Sequence, residues 1–441
     1  MNLPLSSRTK SYGSASWRTG SLRLVWEILW RLSLLSLPWQ TRWFVDSTLN
    51  GWPWEQGRLS LYVSSIILLL TILVGLWQMR RAAIRFSKKT GVLFVLFVLL
   101  VVVSIFATRL DPSALGAVFQ WWAQVTLLCL FVVVMRRNAV SWQRSATWFV
   151  IALLPAATLG IIQYATQHVV GSSFLGIAEQ LPATAGVSVV EHGAYRLLRI
   201  YGSFPHPNIF GGWLVVGIVA AFLSVAYAER KYTVLLFIFS GALFSIALLL
   251  TYSRSAWIAA CVAGILSLFC VVHSRRASRE VWAGVTAIVF VVAIVGFSQR
   301  DHLLARTDVS TRLEAQSINV RSESLWHGWN VFRSNQWFGT GPNAELLHTA
   351  DVGLPERRIP YEPPHNVYLL LLEDFGMLGA LVWLAVIFVV WRPRPDRFRA
   401  FAYIFPLLII GAFDHYLSSY WSGQILVAVV VLLSVSTDHE S

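Results

Sequence analysis

The chain has 441 residues, 56% of them hydrophobic and 13% charged, with a mean hydropathy of +0.61 and a formal net charge of +13. That apolarity excludes a soluble globular domain, because runs of about 20 apolar residues, each long enough to cross a bilayer, recur along most of the length. The positive charge does not make a nucleic-acid surface: Lys and Arg fall in short clusters between apolar runs, with no continuous basic stripe to track a phosphate backbone.

Residues 1–23 form a basic N-terminus (Arg8, Lys10, Arg18, Arg23). The stretch after them carries Glu27 and Arg31 and has no small-residue cleavage site, so it reads as a first membrane helix over 24–44. Further spans are predicted near 59–78, 91–108, 117–135, 146–165, 208–227, 233–251, 256–273, 281–298, 367–391, 400–415 and 420–436. The fold class is therefore all-α, a polytopic membrane protein of about 12 transmembrane helices. With the N-terminus inside, the clusters Arg80/Arg81/Arg85/Lys88/Lys89, Arg136/Arg137/Arg144, Arg230/Lys231, Arg275/Arg276/Arg279 and Arg392/Arg394/Arg397/Arg399 all fall on the cytoplasmic side, as basic residues that resist translocation should. Tryptophans near the span ends (Trp39, Trp43, Trp52, Trp54, Trp142, Trp337, Trp421) suit the headgroup layer. Cys129, Cys261 and Cys270 lie inside apolar runs and read as small core hydrophobes.

The chain thus divides into the N-terminus, helices 1–9 over 24–298 with an outer loop at 166–207, a large outer loop at 299–366, and helices 10–12 with a short tail over 367–441. A loop as long as 299–366 carries function or helices of its own, and Ser322–Asn335 is a candidate helix with Leu325, Trp326, Trp329, Val331 and Phe332 on its apolar side.

Polar chemistry gathers on the outer surface. In Tyr361-Glu362-Pro363-Pro364-His365-Asn366, two prolines fix how His365 enters the next helix, and a histidine there is placed to take a proton from an acceptor hydroxyl. Asn366 and Glu373 are two turns apart and lie on one face; Glu373 is either a bundle hydrogen bond or an orienter of His365. Arg199 precedes Gly202, Pro205, His206, Pro207 and Asn208, where Asn208 can cap the following helix. Arg254 sits in a minimal outer turn (Thr251-Tyr252-Ser253), either holding an anion or capping helix carbonyls. Arg321 is a further anion-ligand candidate. Gly339-Thr340-Gly341 lacks the lysine and the strand of a phosphate loop and reads as a turn. Asp414-His415-Tyr416, at another outer helix end, is a weaker candidate of the same kind. There is no Asp-x-Asp, no His-Glu-x-x-His and no Cys/His ligand spacing, so no metal or other cofactor is called for.

The order Arg199-x-x-Gly202, Pro207-Asn208, Ser253-Arg254, then Pro364-His365-Asn366 with Glu373 and Gly376 after a long outer loop resembles the O-antigen ligase and polymerase superfamily over residues 195–380. The resemblance implies a GT-C-like, metal-independent inverting glycosyltransferase in the bacterial inner membrane, with its site facing the periplasm. It implies an undecaprenyl-pyrophosphate-linked glycan as donor and membrane lipids as surroundings. The acceptor would be a lipid A–core sugar in a ligase, another lipid-linked repeat unit in a polymerase, or protein in related members. In such a site His365 would be catalytic, Arg199, Arg254 and Arg321 would bind pyrophosphate, and Asn208, Asn366 and Glu373 would support them. A small-anion transporter is the alternative from another class; it predicts polar residues near the midplane and short loops.

Overall fold

The computed structural model describes residues 13–49, 52–79, 88–192, 195–306, 312–348, 362–390 and 397–436. Fifteen α-helices are defined among them: α1 (Gly13–Ser36), α2 (Val63–Met79), α3 (Lys88–Ala107), α4 (Pro112–Arg137), α5 (Trp142–Thr166), α6 (Pro207–Val225), α7 (Lys231–Leu250), α8 (Arg254–His273), α9 (Arg279–Ser298), α10 (Arg300–Ala305), α11 (Arg312–Ser334), α12 (Val367–Val390), α13 (Arg397–Phe413), α14 (Tyr416–Ser419) and α15 (Trp421–Val435). Seven of them, α4 to α9 and α12, are long and apolar enough to cross a membrane, and Val63–Met79, Gly91–Ala107 and Trp421–Val435 are shorter apolar helices. The chain is a largely helical, multi-pass membrane protein. The expected clusters at Arg80, Arg81, Arg85, Arg392 and Arg394, the N-terminal twelve residues and Tyr361 lie outside the described residues.

Two predicted span boundaries change. The first helix ends at Ser36, before Pro38, and residues 42–45 form β1 (Arg42–Val45) instead of continuing to 44. Likewise 59–62 is not the start of a span but β4 (Leu59–Tyr62), antiparallel to β1. The two strands pair over four residues, and Arg42 and Arg58 are bridged by Glu55, so strand pairing and local ion pairing override the hydropathy of this stretch. Between them lies the pair β2 (Thr48–Leu49) and β3 (Trp52–Pro53), and the later loop carries the hairpin β5 (Val189–His192) and β6 (Tyr195–Leu198).

The bundle is organised around α6. Nearly all of its residues are buried, against α5, α7, α8, α13 and α15. Lipid tails are as apolar as leucine, so helices in a bilayer are held by close packing, and small residues permit the approach. A Cβ at Gly211 would sit 2.9 Å from that of Ala256, and one at Gly212 would overlap the Tyr416 hydroxyl. Trp213, Phe149, Phe204 and Phe210 stack around the same helix.

α12 is broken. Gly376 has φ 62° and ψ −171°, a conformation open essentially to glycine alone. The chain at 336–341 fills the break. Thr340 and Gly341 N–H donate to the Glu373 and Asp374 carbonyls (2.8 and 2.9 Å), while Met377 and Leu378 N–H donate to the Gln336 and Trp337 carbonyls. Gly339 and Gly341, with φ 73° and 89°, serve this docking, so the turn expected there is a clamp on a membrane helix. The expected helix at 322–335 is longer, beginning at Arg312.

Gly376→Ala should lower stability by about 1–3 kcal/mol, since its Cβ would also overlap the Trp337 backbone. Gly264→Ala, with nothing within 4 Å of its Cβ, should be neutral or slightly stabilising. Thermal unfolding of both variants in detergent checks the contrast; equal melting temperatures would refute the strain at the break.

Candidate functional site

The helix ends at one side of the bundle bring together the loop after α5, the turn between α7 and α8, the start of α12 and the segment after α13. Gln163, near the end of α5, anchors the first of these. Its carboxamide oxygen accepts from the Tyr201 and Gly202 N–H groups and its nitrogen donates to the Gly202 carbonyl (2.8 Å), which sets the turn after Arg199.

Arg199 is buried and spans two elements. Its Nε donates to the Thr251 carbonyl at the end of α7 (2.7 Å) and its Nη2 to Asn208 Oδ1 (2.6 Å). Asn208 Nδ2 in turn donates to Asp414 Oδ2 (2.8 Å), and Asp414 Oδ1 lies 3.7 Å from His365 Nδ1. A line of polar groups therefore runs from the α7 carboxyl end to the His365 ring. Asn208 does not cap α6 as expected. Pro207 takes the first helical position, so His206 becomes the cap, its Nδ1 accepting from the Asn208 N–H (3.1 Å). Asn208 is thereby freed to bridge Arg199 and Asp414. The capping of α7 foreseen as one role for Arg254 falls to Arg199.

His365 is flanked by two carboxylates, Asp414 at Nδ1 and Glu362 Oε2 at 3.3 Å from Nε2. Burial works against a charged ring, but Asp414 and Glu362 outweigh it and raise His365 to about 9. The effect is mutual: burial would raise Asp414, and the neighbouring imidazoles hold it well below the usual carboxylate range instead. His206 and His415 are driven the other way by burial, to about 3 and about 4. Three histidines in one chamber thus differ in charge at neutral pH, and only His365 is an imidazolium. Asp414 and Glu362 are the charged neighbours of His365; the pairing with Asp414 is not visible from motifs, because it is 49 residues from His365 in sequence.

Beside this line lies a cluster of guanidiniums. Arg254 Nη1 donates to the Arg306 carbonyl (3.1 Å), and Arg306 Nε donates to the Tyr252 carbonyl (3.2 Å). Glu314, buried on α11, bridges them, with Oε2 2.9 Å from Arg254 Nη2 and Oε1 on Arg306 Nη1. Burial, and after it the charge of neighbouring guanidiniums, lowers the proton affinity of Arg199, Arg306 and Arg321. Arg321 feels Asp414, Arg254 and Glu362, which puts it at the same chamber. Arg306 and Glu314 were not singled out from sequence; no motif surrounds either, and only the fold joins them to the short turn at 251–253.

The other two expected residues take different places. Asn366 caps α12, its Oδ1 accepting from the Leu369 N–H (2.9 Å), while its Nδ2 donates to the Ala412 carbonyl. Glu373 does not join His365. Its carboxylate packs against Gly328 of α11, and it shares a buried acidic region with Asp374 and Glu345. The helix period puts Asn366 and Glu373 on one face, but α11 and α13 divide that face between them. Glu362, His365 and His415 bring ligand atoms within 4.8 Å of one another, a group able to hold a metal ion that sequence spacing had not suggested.

Buried and half-buried arginines facing an imidazole between two carboxylates, at the helix ends of a multi-pass membrane protein, form a polar chamber whose charge suits an anion. Residues 239–384, about a third of the chain, match the family model described as O-antigen ligase, and the match supports membership of the O-antigen ligase and polymerase superfamily. Members of that family are glycosyltransferase-like enzymes. No curated protein and no solved structure matches the chain. The matched segment contains Arg254, Arg306, Glu314, Arg321 and His365, while Arg199, Asn208 and Asp414 lie to either side of it.

Because Asp414 stabilises the imidazolium, Asp414→Asn should move the His365 midpoint downward from about 9. Diethyl pyrocarbonate modifies the neutral ring, so modification of His365 followed by peptide mass spectrometry should rise with pH toward about 9, and at lower pH in the variant. A midpoint unchanged by the substitution would rule out the Asp414–His365 pairing.

Proposed function

We propose that this protein is an O-antigen ligase. In this reading it transfers a glycan from undecaprenyl pyrophosphate to a lipid A–core sugar hydroxyl, by metal-independent inverting glycosyl transfer at the periplasmic face of the inner membrane, within a GT-C-like arrangement of twelve spans. The observation that carries the reading is the arginine cluster, Arg254, Arg306 and Arg321, set beside His365 inside the family-matched region, with Asp414, from beyond that region, paired to the imidazole.

In the proposed reaction His365 removes the proton of the acceptor hydroxyl. The oxygen attacks the anomeric carbon opposite the leaving group, and the sugar–phosphate bond breaks with its electron pair on the pyrophosphate. Negative charge grows there, and Arg254, Arg306 and Arg321 are the groups that answer it, by charge-assisted bonds in a site with little water. Arg199, tied to Thr251 and Asn208, acts behind them by setting Asn208 and Asp414 and through them the imidazole. Guanidiniums supply the positive charge that a divalent ion would otherwise bring, which is the ground for a reaction independent of metal. A polymerase, which would pass the glycan to a second lipid-linked repeat unit, or a protein glycosylating relative needs the same chemistry and differs only in the acceptor.

The raised midpoint of His365 favours a second assignment within the same reaction, in which the imidazolium itself holds the leaving pyrophosphate. The pH profile separates the two. A base must be neutral, so kcat/KM should climb by about tenfold per pH unit below its midpoint and level near 9. An imidazolium that binds the leaving group would give activity that falls above 9.

Purified protein in nanodiscs with EDTA, an undecaprenyl-pyrophosphate glycan and lipid A–core should form the ligated product. Glycan ladders without that acceptor would mark a polymerase, and failure of a folded sample on any hydroxyl acceptor would overturn glycosyl transfer. His365→Ala should lose on the order of 100- to 10,000-fold in rate with folding intact. Arg254→Lys should also fail, because a point charge cannot replace the planar fork.

A further inference from the structure

The carboxylate of Glu314 occupies the arginines in an unusual manner. It is 4% exposed and bridges two guanidiniums carried on separate elements, Arg254 at the start of α8 and Arg306 after α10. Two guanidiniums converging on neighbouring oxygens is the arrangement that a phosphate group would also satisfy. The fit is incomplete, however. Oε2, though 2.9 Å from Arg254 Nη2, has no aligned hydrogen-bond donor, so charge holds it more than geometry does.

We propose that Glu314 is a resident anion of the arginine site, exchanged for the phosphates of the donor when it binds. It is a positioning residue: it presets the Arg254 and Arg306 side chains and sets the affinity for the pyrophosphate group. The inference rests on the reading of this chamber as a pyrophosphate site.

Three observations carry it beyond an ordinary structural ion pair. First, four guanidiniums, Arg199, Arg254, Arg306 and Arg321, face three carboxylates, Glu314, Glu362 and Asp414, so positive charge is in excess even with Glu314 in place. A buried chamber with such an excess favours taking in a further anion, and an incoming pyrophosphate, with more charge and more acceptor oxygens than a carboxylate, competes well for the same guanidiniums. Second, the other two carboxylates are committed elsewhere, both facing His365, so Glu314 is the one bonded to the arginines in question. Third, the element that carries it is lightly held at this end. Among the described residues, besides Glu314, the first turns of α11 are held by Leu313 against the small β5–β6 cluster and by the Arg312–Glu191 pair, in which Arg312 is 73% exposed. The far end of α11 is instead packed on α12 at Gly328. Segments with few buried contacts rearrange at low cost.

The Arg306 guanidinium keeps its bond to the Tyr252 carbonyl whichever anion is present, and Arg254 keeps the Arg306 carbonyl. These backbone bonds hold the two cations within reach while the anion changes. Without Glu314 the empty site would hold adjoining, uncompensated guanidiniums; with it, the cations are paired until the donor arrives.

The test is calorimetric titration of inorganic pyrophosphate, in EDTA, into purified full-length protein and into Glu314→Gln, which keeps the side-chain oxygen and removes the charge. The expected result is binding tighter by on the order of 10-fold or more in the variant, with a parallel fall in the donor KM and no gain in kcat. Should the Gln variant fail to fold, Glu314→Asp, whose carboxylate is withdrawn by one methylene, should shift affinity in the same direction. Equal or weaker pyrophosphate binding by a folded variant would overturn the role of Glu314 alone, since a merely structural pair would lose arginine order and affinity together. Absence of pyrophosphate binding in both proteins would overturn the anion site itself.

Discussion

Everything at the site end of this bundle depends on one constraint: buried guanidiniums, held close to one another where little water screens them, must be answered by fixed groups of the protein. The turn between α7 and α8 supplies much of the answer. Thr251 O takes Arg199, Tyr252 O takes Arg306, and the first residue after the turn is Arg254. These carbonyls stand at the carboxyl end of α7, where the helix dipole is negative and cations are favoured. Tyr252 adopts φ 50° to make the turn, and its side chain is fully buried. Three residues of backbone thus organise cations drawn from the loop before α6, the start of α8 and the segment after α10.

The same economy sets the state of His365. Asp414 is near neither Arg199 nor His365 in sequence, yet Asn208 joins it to the first and its other oxygen faces the second. Removing charge anywhere along this line is felt at the imidazole, since each member fixes the orientation of the next. The result is a division among neighbouring histidines. His365, between two carboxylates, holds its proton, whereas His206 and His415, buried beside other cations, do not. Environment, and not residue type, assigns the roles.

The long apolar helices are readable because twenty apolar residues admit few other states in a membrane. His365 and Arg254 are legible for a related reason: an ionisable residue at the edge of a span is costly and so conspicuous, whereas Arg321 stands out only as one arginine of the long loop. Arg306, Glu314 and Glu362 are not legible, because they sit in a long polar loop where charges are ordinary and only three-dimensional contact singles them out. Asn208 reads as a cap from its position after a proline, but the observed cap, His206, lies two residues earlier because Pro207 already takes the first helical position. The strands at 42–45 and 59–62 were hidden by their own hydrophobicity, since periodicity cannot separate a short apolar strand from the beginning of a span. Glu373 shows the opposite failure. Its face was predicted from helical period, but the neighbour packed on that face is decided by α11.

The break in α12 ties these parts into one object. His365 stands just before the helix, and Gly376 interrupts it two and a half turns later, where the 336–341 segment caps both halves. That segment directly follows α11, the helix bearing Glu314 and Arg321. The guanidinium side of the chamber and the imidazole side are therefore joined twice, once through charge across the chamber and once through backbone at the break. A straight, uninterrupted α12 would offer no free N–H or C=O to the segment, and α11 would lose its fixed end. The helix break is best understood as the mechanical reference for α11: it fixes one end of that helix against α12, so that the placement of Glu314 and Arg321 is set relative to His365.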